Sequence, residues 1–411
     1  MFLAATLFFI SIVSYGFLNA WMWDRARHAY PLLDRRTPSV LGLAGVLFFT
    51  AAPIATRIIE AHGLHGAATV FALLGDPWMA IAFWFCIAAL VLDLWDHILR
   101  VLSRRVARAA RFTIGARGQF LAAASVAACL AVWGLVEANI VHARDVRIAT
   151  PKLAAGSRPL TIAHISDVHV GIGSRRTVTE QAARLVRARR PDVIVVTGDV
   201  FDSGDPASLD ISPLAAMQAP LGKFAVLGNH EYYTGASECV AALRAAGFRM
   251  LIDETVVLPV AGGATLVLAG NDDPAGRQMT RMGRPRRGPE MAAIGAPNPK
   301  VGVAESTGKR SSGSDRTNGS SFVLRLRHRP DVGTPEEGPF DLQLSGHTHE
   351  GQIWPFRYLI NLAHRHTAGL HDVGGGRALL VSRGVGTWGP PMRFLSPPEV
   401  LFVSLEPVLR Q

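Results

Sequence analysis

Four apolar runs dominate the first third of the chain: Phe2 to Trp21, Val40 to Ile59, Trp78 to Leu99 and Gln119 to Ile140. Each is about the ~20 residues that a helix needs to cross a bilayer, so the simplest reading is four membrane-spanning helices. The first run lacks a basic leader and a convincing small-residue cleavage site, and it reads as a retained anchor rather than a removed signal peptide. Arginines follow the first run (Arg25, Arg27, Arg35, Arg36) and the third (Arg100, Arg104, Arg105, Arg108, Arg111, Arg117), whereas the loop from Glu60 to Asp76 has neither Lys nor Arg. Under the positive-inside bias, the first and third loops face the cytoplasm. The chain after Ile140 then emerges on the other side, which in a bacterium is the periplasmic face of the inner membrane.

Trp21, Trp23, Trp78 and Trp95 sit near the run ends, where amphipathic rings favour the interface and need no ligand. Asp93 and Glu137 lie at or just inside span ends, positions suited to snorkelling or helix pairing, and Pro53 and Arg57 read the same way. The apolar fraction of 49% is thus unevenly spread over 411 residues, too many for one average domain. Cys86, Cys129 and Cys239 supply no disulfide framework and no CxxC pattern. The net charge of +10 comes largely from short loops and one Gly/Ser/Pro-rich stretch without interleaved aromatics. It reads as membrane topology plus a solvated loop, and no nucleic-acid partner is expected.

After a linker at 143–159, short β-rich runs alternate with Ala/Arg-rich helical stretches, and the strands end in Gly, Asp, Asn or His. This is the texture of an α/β domain, 160–411, with its chemistry at strand ends. Strands are predicted at Thr161–Ser166, Val193–Thr197, Phe224–Leu227, Phe322–Leu326, Phe340–Leu344, Ala378–Ser382 and Val400–Leu405. Helices are predicted at Val178–Arg190, stopped by Pro191, and Ser237–Ala246, closed by Gly247. Asn271 to Ser321, rich in Gly, Pro, Ser and Arg, reads as a largely disordered insertion.

Ligand-type residues recur at the strand ends: Asp167-Val168-His169, Gly198-Asp199-Val200-Phe201-Asp202, Gly228-Asn229-His230-Glu231, His328 and Gly346-His347-Thr348-His349. Alternate residues of an extended segment point the same way, so Asp167 and His169 can reach one ion, while a turn can direct His347 and His349 to different ions. Carboxylate and imidazole without thiolate favour Mn, Fe or Zn over Mg. DxH alone is a weak signal, GNHE and GHTH are each stronger, and His328, set among arginines, has a solvated basic strand end as its alternative.

The ordered set resembles the calcineurin-like metallophosphoesterases, with motifs DxH, GDxxD, GNHE, a lone His and GHxH, and the resemblance spans the whole soluble half apart from the insertion. It implies an N-terminal four-helix transmembrane region followed by an α/β metallophosphoesterase domain, a layered β-sandwich flanked by helices. It further implies two divalent metal ions, one held by Asp167, His169, Asp199 and His349, the other by Asn229, His328, His347 and the bridging Asp199. His230 resembles the residue that contacts the phosphate and protonates the leaving oxygen, and Asp202 resembles its orienter. The implied reaction is hydrolysis of a phosphodiester or phosphomonoester by a hydroxide activated between two cations. Substrates at the bilayer surface include phospholipid or other lipid-linked esters. Glu350-Gly351-Gln352-Ile353, Ser382-Arg383-Gly384-Val385-Gly386 and Pro398-Glu399-Val400 look like the membrane-associated bacterial branch, which usually has glycine where Glu350 stands.

Other residues have blander readings. His164 is a core neighbour, His364, His366 and His371 form a solvated loop, and Gly374-Gly375-Gly376 is a hairpin turn. Arg383 and Arg393 divide evenly between phosphate binding and surface roles. A membrane-bound sensor or scaffold that binds a phosphorylated ligand without turnover is the competing function, and His230 argues against it because binding alone needs no leaving-group acid. A transporter is weaker still, since the spans carry few interior polar residues.

Overall fold

The computed structural model describes residues 2–172, 176–281, 321–334 and 337–408. The main body of a first compact unit runs up to Val136, and a second begins at Glu137.

The first unit consists chiefly of four long helices: α1 (Phe2–Ala29), α2 (Arg36–Ala61), α3 (His65–Ser103) and α4 (Ala116–Glu137). Among the described residues, α2, α3 and α4 are long and apolar enough to cross a membrane. The loop expected from Glu60 to Asp76 is largely absent, because α3 begins at His65 and runs for 39 residues, about 58 Å. Ala67, Ala68, Ala72, Leu73 and Leu74 carry the apolar helical pattern through this stretch, and Pro77 is accommodated inside the helix. A side chain at Gly75 would come within 2.6 Å of the Ala52 methyl, so the glycine permits close approach of α2 and α3. Asp93 pairs two helices: both its oxygens lie 2.8 Å from Arg25 Nη1 of α1. Arg25 also donates to Gln119 of α4 (3.1 Å), whose amide donates to Asp96 (2.6 Å), so the polar groups at this level satisfy one another.

The second unit is built on two six-stranded sheets, ordered β1-β12-β2-β3-β4-β5 and β10-β11-β9-β8-β7-β6. The first contains His142–Thr150 (β1), Leu160–Ile165 (β2), Val193–Thr197 (β3), Lys223–Val226 (β4), Arg249–Met250 (β5) and Glu399–Pro407 (β12). The second contains Glu254–Pro259 (β6), Thr265–Gly270 (β7), Ser321–Leu326 (β8), Leu342–Ser345 (β9), Gly369–Gly374 (β10) and Arg377–Val381 (β11). β2, β3 and β4 run parallel, as do β7, β8 and β9, so each sheet gathers several C-terminal strand ends at one edge.

Period-two alternation produces the layers. Ile162, Val193, Val195, Phe224, Leu401 and Val403 face Leu266, Leu268, Leu324, Leu342 and Leu344 of the other sheet. Their alternate neighbours Ala163, Ile165, Ile194 and Val196 face helices Arg176–Arg189 and Ala236–Ala245 through Ala182, Val186, Val240 and Leu243. The central strands are therefore buried on both faces and read as continuous apolar runs.

Two expectations need correction. The supposed linker 143–159 contains most of β1, which pairs with β12 in parallel over all nine residues. Its charged residues Arg144, Asp145 and Arg147 lie outward, while Ala143, Val146 and Ile148 pack inward, and that edge-strand character concealed it. The supposed disordered insertion from Asn271 opens with a helix, Pro274–Arg281, and β8 begins at Ser321; residues 282–320 lie outside the described ones.

Candidate metal centre

The motif residues leave the ends of β2, β3, β4, β8 and β9. The turns after β2 and β3 continue to pair beyond their strands: Asp167, His169 and Val170 donate their backbone N–H groups to Gly198, Asp199 and Val200 at 3.1, 3.0 and 2.7 Å. Five of the ligand-type residues adopt the left-handed backbone, with φ of 53° at Asp167, 50° at His169, 51° at Asp199, 75° at His347 and 49° at His349. This conformation costs L-residues about 1 kcal/mol or more each and persists only where the surroundings over-determine it.

What over-determines it is a set of buried carboxylates. Glu231 accepts the N–H groups of Gly228 (2.7 Å), Asp199 (2.9 Å), Val200 (2.6 Å) and Phe201 (3.1 Å), binding the β3 turn to the β4 turn. Asp167 accepts the N–H of His347 at 2.9 and 3.1 Å, and Asp199 accepts that of His230 at 2.9 Å. The close approach requires glycine: a Cβ on Gly228 would lie 2.2 Å from Asp199 Oδ1, and one on Gly346 2.1 Å from Asp167 Oδ2.

The donor atoms converge in overlapping groups: Asp167, His169 and His349; Asp199, His328 and His347; and His169, Asp202 and His230. His169 Nε2 is 3.0 Å from His349 Nε2, which is 3.5 Å from Asp167 Oδ1. His347 Nδ1 is 3.1 Å from His328 Nε2. One oxygen, Asp199 Oδ2, lies 3.0 Å from His328 Nε2, 3.9 Å from His169 Nε2 and 4.0 Å from His230 Nε2.

This donor set fits divalent cations. His328 Nδ1 donates to the Thr197 carbonyl (2.7 Å), which fixes the tautomer and turns the Nε2 lone pair toward the Asp199 carboxylate. Two acceptors at 3.0 Å demand a positive charge. Burial disfavours a charged His328, yet Asp199, Asp167 and Asp273 pull it up to about 10. Asp199 itself, despite burial, is held well below the usual carboxylate range by His328, His230 and His169. The buried amide oxygen of Asn229 accepts no hydrogen bond among the described residues, as a ligand-ready carbonyl would be left.

His230 Nδ1 is 2.8 Å from Asp202 Oδ1. Burial opposes its charged form, but Asp202, Asp199 and Glu231 raise its pKa overall. Tyr233 and Trp388, both more than half exposed, flank its ring at 5.5 and 6.1 Å. Gln352 holds the Trp388 backbone at both ends, accepting from its N–H (2.9 Å) and donating to its carbonyl (3.0 Å).

Neither arginine weighed for phosphate binding points a free guanidinium at the site. Arg393 is wholly buried and donates to the carbonyls of Gly386, Ser396 and Arg383 and to His349 Nδ1 (3.0 Å), and burial pushes it down to about 10. Arg383 is paired with Glu350 and, at 3.3 Å, with Glu399. Glu350 also approaches Arg357 at 3.4 Å, so it serves an ion-pair lattice behind the histidines. Of the histidine cluster, His364 sits 5.3 Å from the His347 ring, while His366 and His371 face each other at 4.6 Å.

The geometry defines a class: groups of carboxylate and imidazole donors able to hold metal ions at the strand-end edge of a two-sheet sandwich. The sequence profile of the calcineurin-like phosphoesterases matches residues 160–351. An uncharacterized metallophosphoesterase of Aquifex aeolicus is 34% identical over 284 residues, 68% of this chain and 98% of that one. One from Campylobacter jejuni is 28% identical over 342 residues, covering 81% and 83% of the two chains. A transmembrane protein with metallophosphoesterase domain from Danio rerio is 28% identical over 361 residues, covering 84% and 78%. The chain belongs to the calcineurin-like metallophosphoesterases, and metal-dependent phosphoester hydrolysis is the general reaction of its site.

Proposed function

We propose that the chain is a binuclear phosphoesterase acting on a phosphodiester or phosphomonoester at a membrane surface. Asp167, His169, Asp199 and His349 would hold one cation, and Asn229, His328, His347 and the shared Asp199 the other, with Mn, Fe or Zn best suited to the donors. The observation that supports this reading is Asp199 Oδ2, which lies 3.0 Å from His328 Nε2 and 3.9 Å from His169 Nε2, near a donor of each proposed ion. Two divalent cations bound there would activate water for in-line attack and neutralise charge on the phosphoryl oxygens. His230, oriented through Nδ1 by Asp202 and with its pKa raised by its carboxylate neighbours against the effect of burial, presents Nε2 to donate a proton to the departing oxygen. Tyr233 and Trp388 form walls beside that proton donor, where the leaving group would sit.

The membrane part of the proposal is four spans, α1 to α4, in a bacterial inner membrane. Arginine bias sets the loops after α1 and α3 in the cytoplasm and the catalytic unit on the periplasmic side. Proximity to the bilayer favours a phospholipid or other lipid-linked ester. The test is hydrolysis of chromogenic diesters and monoesters by the full chain in detergent, reloaded with manganese, beside His230→Ala and Asp199→Asn. Metal-dependent turnover that is abolished in Asp199→Asn and lowered in His230→Ala, least where the leaving group departs without a proton, supports the reading; metal binding without turnover of any ester would sink it.

A further inference from the structure

Most of the exposed large apolar side chains among the described residues of the second unit fall between positions 354 and 395; Ile140, Tyr233, Val257 and Val408 are the others. The centre of this group is the helix Phe356–Ala363, which buries none of its residues. Trp354 is 40% exposed, Tyr358 and Leu359 each 59%, and Leu362 85%. A solvated eight-residue helix has no reason to display Leu and Tyr in this way, and the usual remedy is burial against something apolar.

We infer that Phe356–Ala363 is an interfacial helix that seats the catalytic unit on the lipid leaflet. Three observations select the bilayer as the occupant. The chain carries helices long and apolar enough to cross a membrane, so a leaflet is tethered to this unit at high effective concentration. The composition is interfacial: Trp354 and Tyr358 bring rings with an apolar body and a polar tip, Leu359 and Leu362 bring aliphatic area, and the exposed Arg365 suits anionic headgroups. The helix is also continuous with the metal centre, since it follows the His347–His349 motif directly and ends at His364, whose ring is 5.3 Å from that of His347. Docking therefore presents the site to esters held at headgroup depth, and it deepens the proposed function by naming lipid phosphoesters as the substrate class.

The test uses the full chain in lipid nanodiscs. Leu362→Cys, at a fully accessible position, is labelled with an environment-sensitive fluorophore in a Cys129→Ser background and challenged with lipids carrying a quencher near the headgroup. Strong quenching and a blue-shifted emission are expected; emission typical of water and indifferent to the lipid quencher would overturn the inference. In parallel, Leu359→Glu/Leu362→Glu is assayed on a phospholipid embedded in the disc and on a water-soluble chromogenic ester. Loss of two leucines that insert into the leaflet lowers turnover of the embedded lipid by about ten-fold or more while sparing the soluble ester. An equal loss on both esters, or no loss on either, would overturn it. The lipid-borne and free esters separate headgroup capture from generic phosphate binding. This inference rests on the phosphoesterase reading only in its kinetic arm: wild-type protein inactive on every ester defeats that reading, and the quenching still decides docking.

Discussion

The Glu231 carboxylate accepts the backbone N–H of Asp199 at 2.9 Å, so a residue of the fourth-strand turn fixes the conformation of the aspartate that meets His328 and His347. The same carboxylate also accepts from Gly228, Val200 and Phe201. Glu231→Gln keeps the volume but replaces one acceptor oxygen with a donor that faces two N–H groups. Leaving such buried donors unmatched costs about 3 kcal/mol. The expected outcome is a lower thermal midpoint for the catalytic unit, followed by near-ultraviolet circular dichroism, with metal affinity reduced alongside. Unchanged stability would show that Glu231 does not hold the turns.

His230 protonates the leaving oxygen in the proposed mechanism, so the effect of removing it depends on how much help that oxygen needs. His230→Asn should lower kcat by about 10² to 10⁴ for an alkyl leaving group and much less for nitrophenolate, which departs without a proton. Because the carboxylates raise the His230 pKa, its active protonated form persists to higher pH and is lost as pH climbs through that raised value. Asp202→Asn removes the chief raising influence and should move the alkaline limb of the kcat profile to lower pH. A limb that stays in place would assign it to another group.

How much of this was legible in the sequence varied with the physics involved. The motifs DVH, GDVFD, GNHE and GHTH were readable because ligand chemistry restricts residue types, and Asp167, His169, Asp199, His328, His347 and His349 do meet. The central strands were readable because both faces are apolar. β1 was not, since an edge strand with Arg144, Asp145 and Arg147 outward looks like a linker. The α2–α3 turn shrank because an apolar stretch without Lys or Arg serves equally as helix or as loop. Glu231 appeared in its motif without a role: that one carboxylate would collect N–H groups from residues about thirty positions away depends on which turns pack together, and spacing does not carry that information. Arg383 and Arg393 stood evenly between phosphate binding and a surface role for the same reason, their partners Glu350, Glu399 and Gly386 being set by tertiary contact.

His164 gives a pH dependence of stability. It is wholly buried in β2, with Nε2 2.8 Å from Thr197 Oγ1, and burial pushes its pKa from 6.5 down to about 3. Between those values the unfolded chain binds a proton that the folded chain does not. Its contribution is therefore complete above the unfolded value and is lost as pH falls through the window, at up to about 1.4 kcal/mol per unit. His164→Gln has nothing to titrate, so the difference in unfolding free energy between wild type and variant should shrink as pH falls below 6.5 toward 4.5. A difference that is flat with pH would mean that His164 is charged or hydrated in the folded state.

Asp199 distinguishes a shared ligand from a private one. In the proposed assignment it serves both cations, whereas His349 serves one and His328 the other. Metal analysis of the full chain after gel filtration should then find about two ions in wild type, a deficit of about one in His349→Ala and in His328→Ala, and less than one in total in Asp199→Asn. Activity of Asp199→Asn should fall about 10³-fold, since the charge that holds the pair together is gone. The geometry makes the comparison sharp, because Asp199 Oδ2 lies 3.0 Å from His328 Nε2 and 3.9 Å from His169 Nε2, within reach of both groups at once. An Asp199→Asn protein that keeps one ion at full affinity would assign the bridge to a different oxygen and reduce Asp199 to a ligand of one metal.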